Sequence, residues 1–322
     1  MMSAETKKEN TSTTPTSVEV RIPASTSNLG SGFDCFGLAL QLYLTIRATV
    51  VPRSSVKCRV RTTGTRESSL LPRTAENLIY RAMVHAAKQE GLELPRVELV
   101  VQNQIPLSRG LGSSGAAIVG GIKLCGLLCQ RELPEAKLLT YATQVEGHAD
   151  NVAPSLTGGF VVTCMAPEGE VVAIKRPWPA DIKIIIVSPQ SQLETKRARA
   201  ALRGVVDRAD AVHNLQRSAL FVAALSGGRY ELLWEAMQDR LHQEERQSLV
   251  PGLGEALALS QMPGLLGIAL SGAGPSVLAL AQDNFEEIGE TIANCFRQHE
   301  IKAAVHKLEV DNDGCQAKVL RA

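Results

Sequence analysis

A glycine-rich turn at residues 106–116 constrains the fold of this chain more than any other segment. It reads Pro106-Leu-Ser-Arg-Gly-Leu-Gly-Ser-Ser-Gly-Ala116, between an apolar strand-like run at 97–101 and a helical pattern of small residues at 116–124. A glycine turn that opens a helix offers unpaired backbone N–H groups and the positive end of the helix dipole. The sequence therefore predicts a site for a nucleotide or another phosphorylated ligand.

The surroundings of the glycines exclude three familiar phosphate loops. Gly110, Gly112 and Gly115 satisfy the pattern G-x-G-x-x-G, but a dinucleotide-binding fold places that pattern directly after a strand. Here residues 102–109 intervene. A P-loop needs a lysine just before its Ser or Thr, and the next lysine of this chain is Lys123. The downstream motifs of protein kinases are also missing.

Two adjacent hydroxyl groups distinguish the loop that remains. Ser113 and Ser114 stand where the helix is predicted to begin. Such residues can cap the helix and can also face a metal–phosphate group. A plain capped glycine turn without a ligand is the alternative interpretation of this segment.

Composition and charge narrow the class of protein. A length of 322 residues suggests two domains, and 44% hydrophobic with 21% charged residues is typical of a soluble globular protein. Only 4% of the residues are aromatic and the formal net charge is +1, which argues against binding nucleic acid. The longest apolar runs, such as 182–187, are too short to span a membrane.

The cysteines and the first residues predict a cytoplasmic location. Seven scattered cysteines form no C-x-x-C pair, so free thiols in a reducing compartment are a better interpretation than a zinc site or disulfides. Residues 1–17 are polar, rich in Thr and Ser, and predicted to be disordered. They lack the apolar core of a signal peptide.

Strand-like and helical patterns alternate in both halves of the chain, which predicts an α+β class. A Pro- and Gly-rich stretch at 167–179 suggests a domain border. We therefore predict a disordered tail at 1–17, an N-terminal domain at 18–178 and a C-terminal domain at 179–322.

Four polar clusters interrupt the apolar pattern, at residues 23–37, 106–116, 146–154 and 271–276. Several such clusters together suggest loops that converge on a ligand. Phosphoryl transfer needs N–H donors for phosphates, a carboxylate for magnesium and polar groups that fix the accepting hydroxyl. Residues 110–115 would meet the first need, Glu146 the second, and Asp150 or Asn151 the third.

Simpler interpretations exist for single residues of these clusters. Glu146 could be a solvated residue at a helix end, His148 a turn histidine and Asp34 a capping residue. Gly272 and Gly274 could belong to an ordinary hairpin turn. The combination of clusters, rather than any one residue, favours a ligand site.

Together the four clusters resemble the superfamily of small-molecule kinases named for galactokinase, homoserine kinase, mevalonate kinase and phosphomevalonate kinase. Residues 106–116 look like its phosphate loop and residues 270–276 like its C-terminal glycine motif. The resemblance to homoserine kinases is close and rests on residues 23–34, 146–154 and 195–199. The similarity extends from about residue 18 to residue 308.

This resemblance implies a two-domain small-molecule kinase fold. The N-terminal, ATP-binding domain would be like ribosomal protein S5 domain 2 with a left-handed βαβ crossover, and the C-terminal domain would be ferredoxin-like. It implies that ATP and Mg²⁺ serve to phosphorylate the side-chain hydroxyl of L-homoserine, a step of threonine biosynthesis. It also implies a homodimer, while the predicted cytoplasmic location and the absence of nucleic-acid and membrane partners rest on the composition above.

The resemblance also implies roles for individual residues. Ser114 and Glu146 would hold magnesium. The nucleotide would be bound by Asn77, Pro106, Leu107, Ser108, Arg109, Gly110, Leu111, Gly112, Ser113, Ser114, Gly115, Ala116, Gly272 and Gly274. The amino acid would be surrounded by Asn28, Asp34, His148, Thr195, Arg199 and Arg246. These roles suit an α-amino acid, since Asp34 can pair with its ammonium and the two arginines with its carboxylate.

The catalytic residues implied are Asn151, Asp150 and Glu146. Because phosphoryl transfer demands positioning more than deprotonation, we favour Asn151 as the group that orients the hydroxyl, with Asp150 as a base or a structural residue. A mevalonate-pathway kinase, which needs no ammonium partner, and a catalytically inactive nucleotide-binding regulator are the alternatives. Galactokinase is disfavoured because its Arg-Asn-Leu sugar signature is absent.

Overall fold

A computed structural model describes residues 16–321, apart from the side chains of residues 66 and 321. The first half contains β1 (Ser17–Ser27), β2 (Phe36–Val50), β3 (Cys58–Gly64), α1 (Leu78–Glu90), β4 (Val97–Asn103), α2 (Ser113–Leu128), α3 (Glu135–Glu146), α4 (Val152–Thr157), β5 (Phe160–Met165) and β6 (Val171–Arg176). The second half contains β7 (Lys183–Pro189), α5 (Thr195–Ala200), α6 (Arg208–Ser226), α7 (Leu233–Ala236), α8 (Gln243–Gln247), α9 (Leu253–Leu257), β8 (Leu265–Leu270), β9 (Val277–Ala281), α10 (Phe285–Arg297), β10 (Ala303–Leu308) and β11 (Gln316–Arg321). Short 3-10 helices lie at Arg66–Leu70 and Tyr230–Leu232. No described helix is long and apolar enough to cross a membrane.

Within residues 16–321, seven strands form the first sheet. Its main order is β11-β1-β2-β4-β3, and β5 pairs with the start of β2 and with β6. β3 and β4 are parallel and joined through α1, which makes a βαβ unit. The period-2 pattern of β1 explains why the sheet is covered on one face, since Val18, Val20 and Ile22 are buried and Arg21 is exposed.

The second sheet has the order β10-β7-β9-β8, with antiparallel pairing throughout. Numbered along the chain these four strands read 4-1-3-2, and a helix follows the first and the third of them, which is a ferredoxin-like arrangement. α10 packs on this sheet through Ile288, Ile292 and Phe296, one side of a strongly amphipathic helix. The predicted α+β kinase fold is therefore confirmed at the level of its two sheets.

The chain returns to its first sheet at the end. β11 pairs with β1 in antiparallel fashion, and Leu40 of β2 forms an isolated bridge with Val310. The predicted division into 18–178 and 179–322 stays a prediction, and the structure adds that residues 316–321 join the first sheet. The predicted disordered tail at 1–17 lies outside the described residues except for Thr16 and Ser17.

Candidate active site

A cleft of about 450 Å³ lies where the two halves meet. The structure brings most residues of the predicted site to its walls: Asn28, Asp34, Asn77, Pro106, Leu107, Ser108, Arg109, Gly110, Leu111, Gly112, Ser113, Ser114, Glu146, His148, Asp150, Asn151, Thr195, Arg199, Arg246 and Gly272. Gly115, Ala116 and Gly274 stand behind the wall rather than in it. The four polar clusters of the sequence thus converge on one cavity.

The phosphate loop ends in an uncapped helix. Gly112, with φ of 65°, is the residue that precedes α2, and it has no side chain that could cap the first helical N–H groups. Ser113 and Ser114, which the sequence allowed either to cap the helix or to face a ligand, are the first two helical residues, and Gly112 takes the cap position. Because the first N–H groups of a helix have no intrahelical partner, they remain available to an anion in the cleft.

The glycines of this loop are required by close approach as well as by conformation. A Cβ on Gly112 would lie 2.0 Å from Ser25 Oγ, and one on Gly110 would lie 1.9 Å from the Ser271 carbonyl oxygen. Both have φ values that L side chains rarely adopt. Ser271 Oγ also donates to the Gly110 carbonyl at 2.7 Å, so the glycine motif at 271–276 supports the phosphate loop from the second half.

Arg109 braces the loop rather than facing the cleft centre. Its guanidinium pairs with Glu67 at 3.0 Å and donates to the carbonyls of Pro189 and Gln190 at 3.0 and 3.2 Å. The Ser108 carbonyl accepts from Leu193 N at 3.0 Å. The loop is therefore tied to the segment that leads directly into α5, which carries Thr195 and Arg199.

Two oxygen donors meet beside the helix start. Ser114 Oγ, in the first turn of α2, donates to Glu146 Oε1 at the end of α3 over 2.5 Å. A hydroxyl and a carboxylate are hard ligands of the kind that Mg²⁺ binds together with substrate phosphates. The described residues contain no group of three or more His, Cys, Asp or Glu that could hold a metal. The pair therefore fits a metal that phosphate oxygens help to bind, not a metal held by protein alone.

His148 and Asp150 form a buried ion pair at the centre of the site. His148 Nδ1 lies 2.5 Å from Asp150 Oδ1, and Asp150 is only 2% exposed. Burial disfavours both charges, but their mutual hydrogen bond and attraction outweigh it. The pKa of His148 is consequently raised and that of Asp150 lowered. Asp150 is thus held ionised and is a weak base.

The Asn151 side chain is fixed by three neighbours. Its Oδ1 accepts from Ser25 Oγ at 3.0 Å, and its Nδ2 donates to Ser27 Oγ at 3.0 Å and to Asp150 Oδ1 at 3.2 Å. Both amide hydrogens are therefore in use, while Oδ1 keeps a second lone pair. A Cβ on Gly112 would lie 2.9 Å from this oxygen, which shows how close the phosphate loop approaches it.

A carboxylate and a guanidinium face each other across the two halves. Arg199 donates to Asp34 through Nη1 at 3.0 Å and Nη2 at 2.7 Å, in bidentate geometry, and this pairing raises the pKa of Arg199. Asn28 positions Asp34, because its Oδ1 accepts from Asp34 N and its Nδ2 donates to the Gly272 carbonyl, both at 3.0 Å. Asn28 is thus a support for Asp34.

Arg246 is a second guanidinium in the same part of the cleft, and it is 1% exposed. Its described partners are the carbonyls of Ala198 and Gly272 and the Nδ1 atom of His242. None of them is a carboxylate. Burial and the nearby charge of Arg199 lower the pKa of Arg246 to about 10, so it stays charged at neutral pH. A buried cation without an acid partner is suited to receive an anion.

The other end of the cleft is apolar and flanked by Asn77. Its walls include Leu44, Leu71, Ile79 and Val101. Asn77 accepts from Ile79 N at 3.0 Å as the cap of α1 and donates to the Pro72 carbonyl at 2.8 Å. Its amide therefore holds the wall of this end in place, at a residue to which the resemblance assigns nucleotide binding.

Sequence reasoning assigned no role to three residues of this region. Ser27 holds Asn151, Phe33 lines the cleft, and His242 contacts Arg246. Ser27 and Phe33 lie inside the polar cluster at 23–37, so the sequence indicated their segment as part of a ligand site but did not indicate what each residue does. His242 precedes Arg246 by one helical turn, and only the fold shows that its ring is buried against that arginine.

Comparison with known proteins places this architecture. The family described as GHMP kinases N terminal domain matches residues 77–159, and GHMP kinases C terminal matches residues 219–298. A homoserine kinase of Desulfitobacterium hafniense is 40% identical over 298 residues, which cover 92% of this chain and 98% of that protein, and one of Aquifex aeolicus gives the same values. The crystal structure of a homoserine kinase from Cytophaga hutchinsonii superposes with a TM-score of 0.82 at 27% identity, over 99% of this chain and all of that one.

Proposed function

This chain belongs to the GHMP kinase family, and from that premise we infer that it is a homoserine kinase. It transfers a phosphoryl group from ATP to the side-chain hydroxyl of L-homoserine, which yields O-phospho-L-homoserine for threonine biosynthesis. One observation within the cleft carries the assignment: Asp34, Arg199 and Arg246 stand together in the cavity that also holds the phosphate loop. One carboxylate and two guanidinium groups complement the ammonium and the carboxylate of an α-amino acid.

The pair between Asp34 and Arg199 explains how the amino acid is selected. An arriving zwitterion gives its ammonium to Asp34 and its carboxylate to Arg199 and Arg246, so one ion pair is exchanged for contacts of both signs. An acceptor with a carboxylate but no ammonium, such as mevalonate, would leave Asp34 without a new partner. This chemistry supports an amino acid over a hydroxy acid.

We propose that the loop at residues 106–116 binds the triphosphate of ATP. The unpaired N–H groups at the start of α2 supply donors, and the helix dipole supplies a positive potential. The apolar end of the cleft near Asn77 would take the adenine ring. Ser114 and Glu146 would hold magnesium together with phosphate oxygens, and the ion would supply neutralisation of the charge on the transferred group.

Asn151 is the residue proposed to orient the acceptor. The free lone pair of Asn151 Oδ1 accepts a hydrogen bond from the substrate hydroxyl and aims the hydroxyl oxygen at the γ-phosphorus. That oxygen forms the new bond while the bond from the γ-phosphorus to the bridging oxygen of ADP breaks, and the hydroxyl proton passes to an oxygen of the transferred phosphoryl group. Asp150, kept ionised by His148, holds Asn151 through Nδ2 and is proposed as a structural residue and not as the base.

Three further proposals accompany this function. The division into domains at 18–178 and 179–322 is one, and the homodimer implied by the family resemblance is another. A cytoplasmic location is the third. It is supported by seven cysteines that are all free, as expected in a reducing compartment.

The test is ADP release with Mg²⁺ and ATP in the presence of L-homoserine, mevalonate, L-serine or no acceptor. Turnover confined to L-homoserine is the expected result. Turnover only with mevalonate would refute the substrate and keep the fold. ATP binding without turnover of any acceptor would replace the enzyme with a nucleotide-binding regulator.

A further inference from the structure

A buried histidine lies directly behind the proposed carboxylate site. His242 is 0% exposed, and the ring of Phe33, whose centroid is 5.0 Å away, stacks on it. The ring does not line the cleft, yet it contacts Arg246, which does. No step of the proposed reaction uses His242.

The two hydrogen-bond partners of the ring allow a single protonation state. Arg246 Nη1 lies 3.2 Å from His242 Nδ1, and a guanidinium can only donate, so Nδ1 carries no proton. The Gly30 carbonyl lies 2.9 Å from Nε2 and can only accept, so Nε2 carries the proton. The ring is therefore neutral, in agreement with burial that lowers its pKa. Asp239, 3.7 Å from Nε2, is occupied by the backbone N–H groups of residues 241–243.

These contacts also fix which nitrogen of Arg246 is available. Nε donates to the Ala198 carbonyl at 3.3 Å, and Nη1 donates to His242 and to the Gly272 carbonyl at 3.2 Å. Among the residues that the structure describes, none accepts from Nη2. The guanidinium is thus held through Nε and Nη1, and the two hydrogens of Nη2 remain for a ligand.

We propose that His242 is a positioning residue that holds Arg246 through a neutral acceptor, so that the guanidinium keeps its full charge for the carboxylate of the amino acid. A carboxylate at this position would anchor the arginine more strongly but would cancel that charge. An imidazolium would repel it. The neutral Nε2–H tautomer does neither. This inference rests on the proposed function for the identity of the ligand, but not for the state of the ring.

Two matched variants separate the two contacts of the ring. Asparagine places an acceptor near the position of Nδ1, so His242→Asn keeps the contact to Arg246. Glutamine places a donor near the position of Nε2, so His242→Gln keeps the contact to Gly30 and loses the acceptor. We expect His242→Gln to raise KM for L-homoserine about tenfold, the effect of losing a hydrogen bond to a charged group. The KM for ATP should not change, and His242→Asn should stay close to wild type.

The carboxamide of L-homoserine, which lacks the carboxylate charge, is the matched acceptor. If His242 acts through Arg246, the wild type and His242→Gln should use the carboxamide equally well. The proposal would be overturned if His242→Asn and His242→Gln raised KM for L-homoserine equally, or if His242→Gln impaired use of the carboxamide as much as use of L-homoserine. His242 would then have a purely structural role. Absence of L-homoserine turnover by the wild type would instead refute the proposed function.

One measurement on the wild-type protein is independent of turnover and of variant folding. ¹⁵N NMR of the histidine rings should show the His242 signal with a protonated Nε2 and an unprotonated Nδ1 throughout neutral pH. A protonated Nδ1 would overturn the proposal, whatever the substrate is.

Discussion

The ion pair between Asp34 and Arg199 provides the sharpest test of the substrate site. In Asp34→Asn the side chain keeps its size and one acceptor oxygen, but it loses the charge that an ammonium group would meet. Because the amide can still accept from Arg199, the loop around residue 34 should keep its conformation. The substitution therefore isolates the contribution of charge.

The structure sets the expected magnitudes. Both side chains of the pair are 37% exposed, so losing the pair should cost at most about 1 kcal/mol of unfolding free energy. The loss for the substrate is larger, since a hydrogen bond to a charged group contributes about 1.5–3 kcal/mol. At about 1.4 kcal/mol per factor of ten, kcat/KM for L-homoserine should fall roughly 10- to 150-fold.

The assay compares two acceptors in the same variant. L-Homoserine carries the ammonium group, whereas 4-hydroxybutanoate has the same hydroxyl and carboxylate without it. We expect Asp34→Asn to lower kcat/KM for L-homoserine and to leave that for 4-hydroxybutanoate unchanged. Glu290→Gln, which breaks an exposed ion pair with Arg297 on α10, is the matched control and should affect neither. Equal losses with both acceptors, or none with L-homoserine, would refute the assignment of Asp34.

Three further predictions follow from the same cleft. Glu146→Gln should lower kcat severely and raise the Mg²⁺ concentration needed for half-maximal rate without changing the melting temperature; a near-normal kcat would contradict the metal role. Gly112→Ala should weaken ATP binding measured by calorimetry and lower the melting temperature. Gly91→Ala is the control, because Gly91 has φ of 64° but nothing within 4 Å of an added Cβ, and it should lower only the melting temperature. Equal ATP affinity in the two variants would contradict the close approach of the loop at Gly112. The pKa of His148 is raised in the folded state, so its stabilising effect is present below about pH 6.5 and is lost as the pH rises through the raised value. The difference in melting temperature between the wild type and His148→Gln should therefore be larger at pH 6 than at pH 9. A difference that does not depend on pH would contradict the charged pair.

The phosphate loop and the polar clusters could be predicted because their signals are local. Short segments in which glycines, hydroxyl groups and carboxylates are concentrated indicate turns and ligand-binding loops, whatever their position in the fold. The helix of residues 285–297 was equally predictable from its apolar stripe. Such patterns need no knowledge of distant partners.

The missed features depend on partners far away in the chain. β6 and β11 are short strands at or near sheet edges, and residues 171–176 were predicted only as part of a domain border. The role of His242 depends on Gly30, 212 positions earlier, and on a tautomer that its neighbours select. For the Ser113 and Ser114 hydroxyls the sequence left two roles open, capping α2 or facing a ligand, and only the structure shows that Gly112 takes the cap position and that Ser114 donates to Glu146. A residue type offers several hydrogen-bond roles, and only the packing chooses among them.

The pairing of β11 with β1 determines the order in which the first sheet can form while the chain is being synthesised. The residues between these strands, 28–315, include the entire second sheet, so one edge of β1 stays bare while they are being made. Bare strand edges recruit other strands, and pairings between distant segments form late because their loop-closure cost comes first. The first sheet is therefore begun early and finished late, and a nascent chain that stalls after β6 presents an open edge to its neighbours on the same messenger RNA.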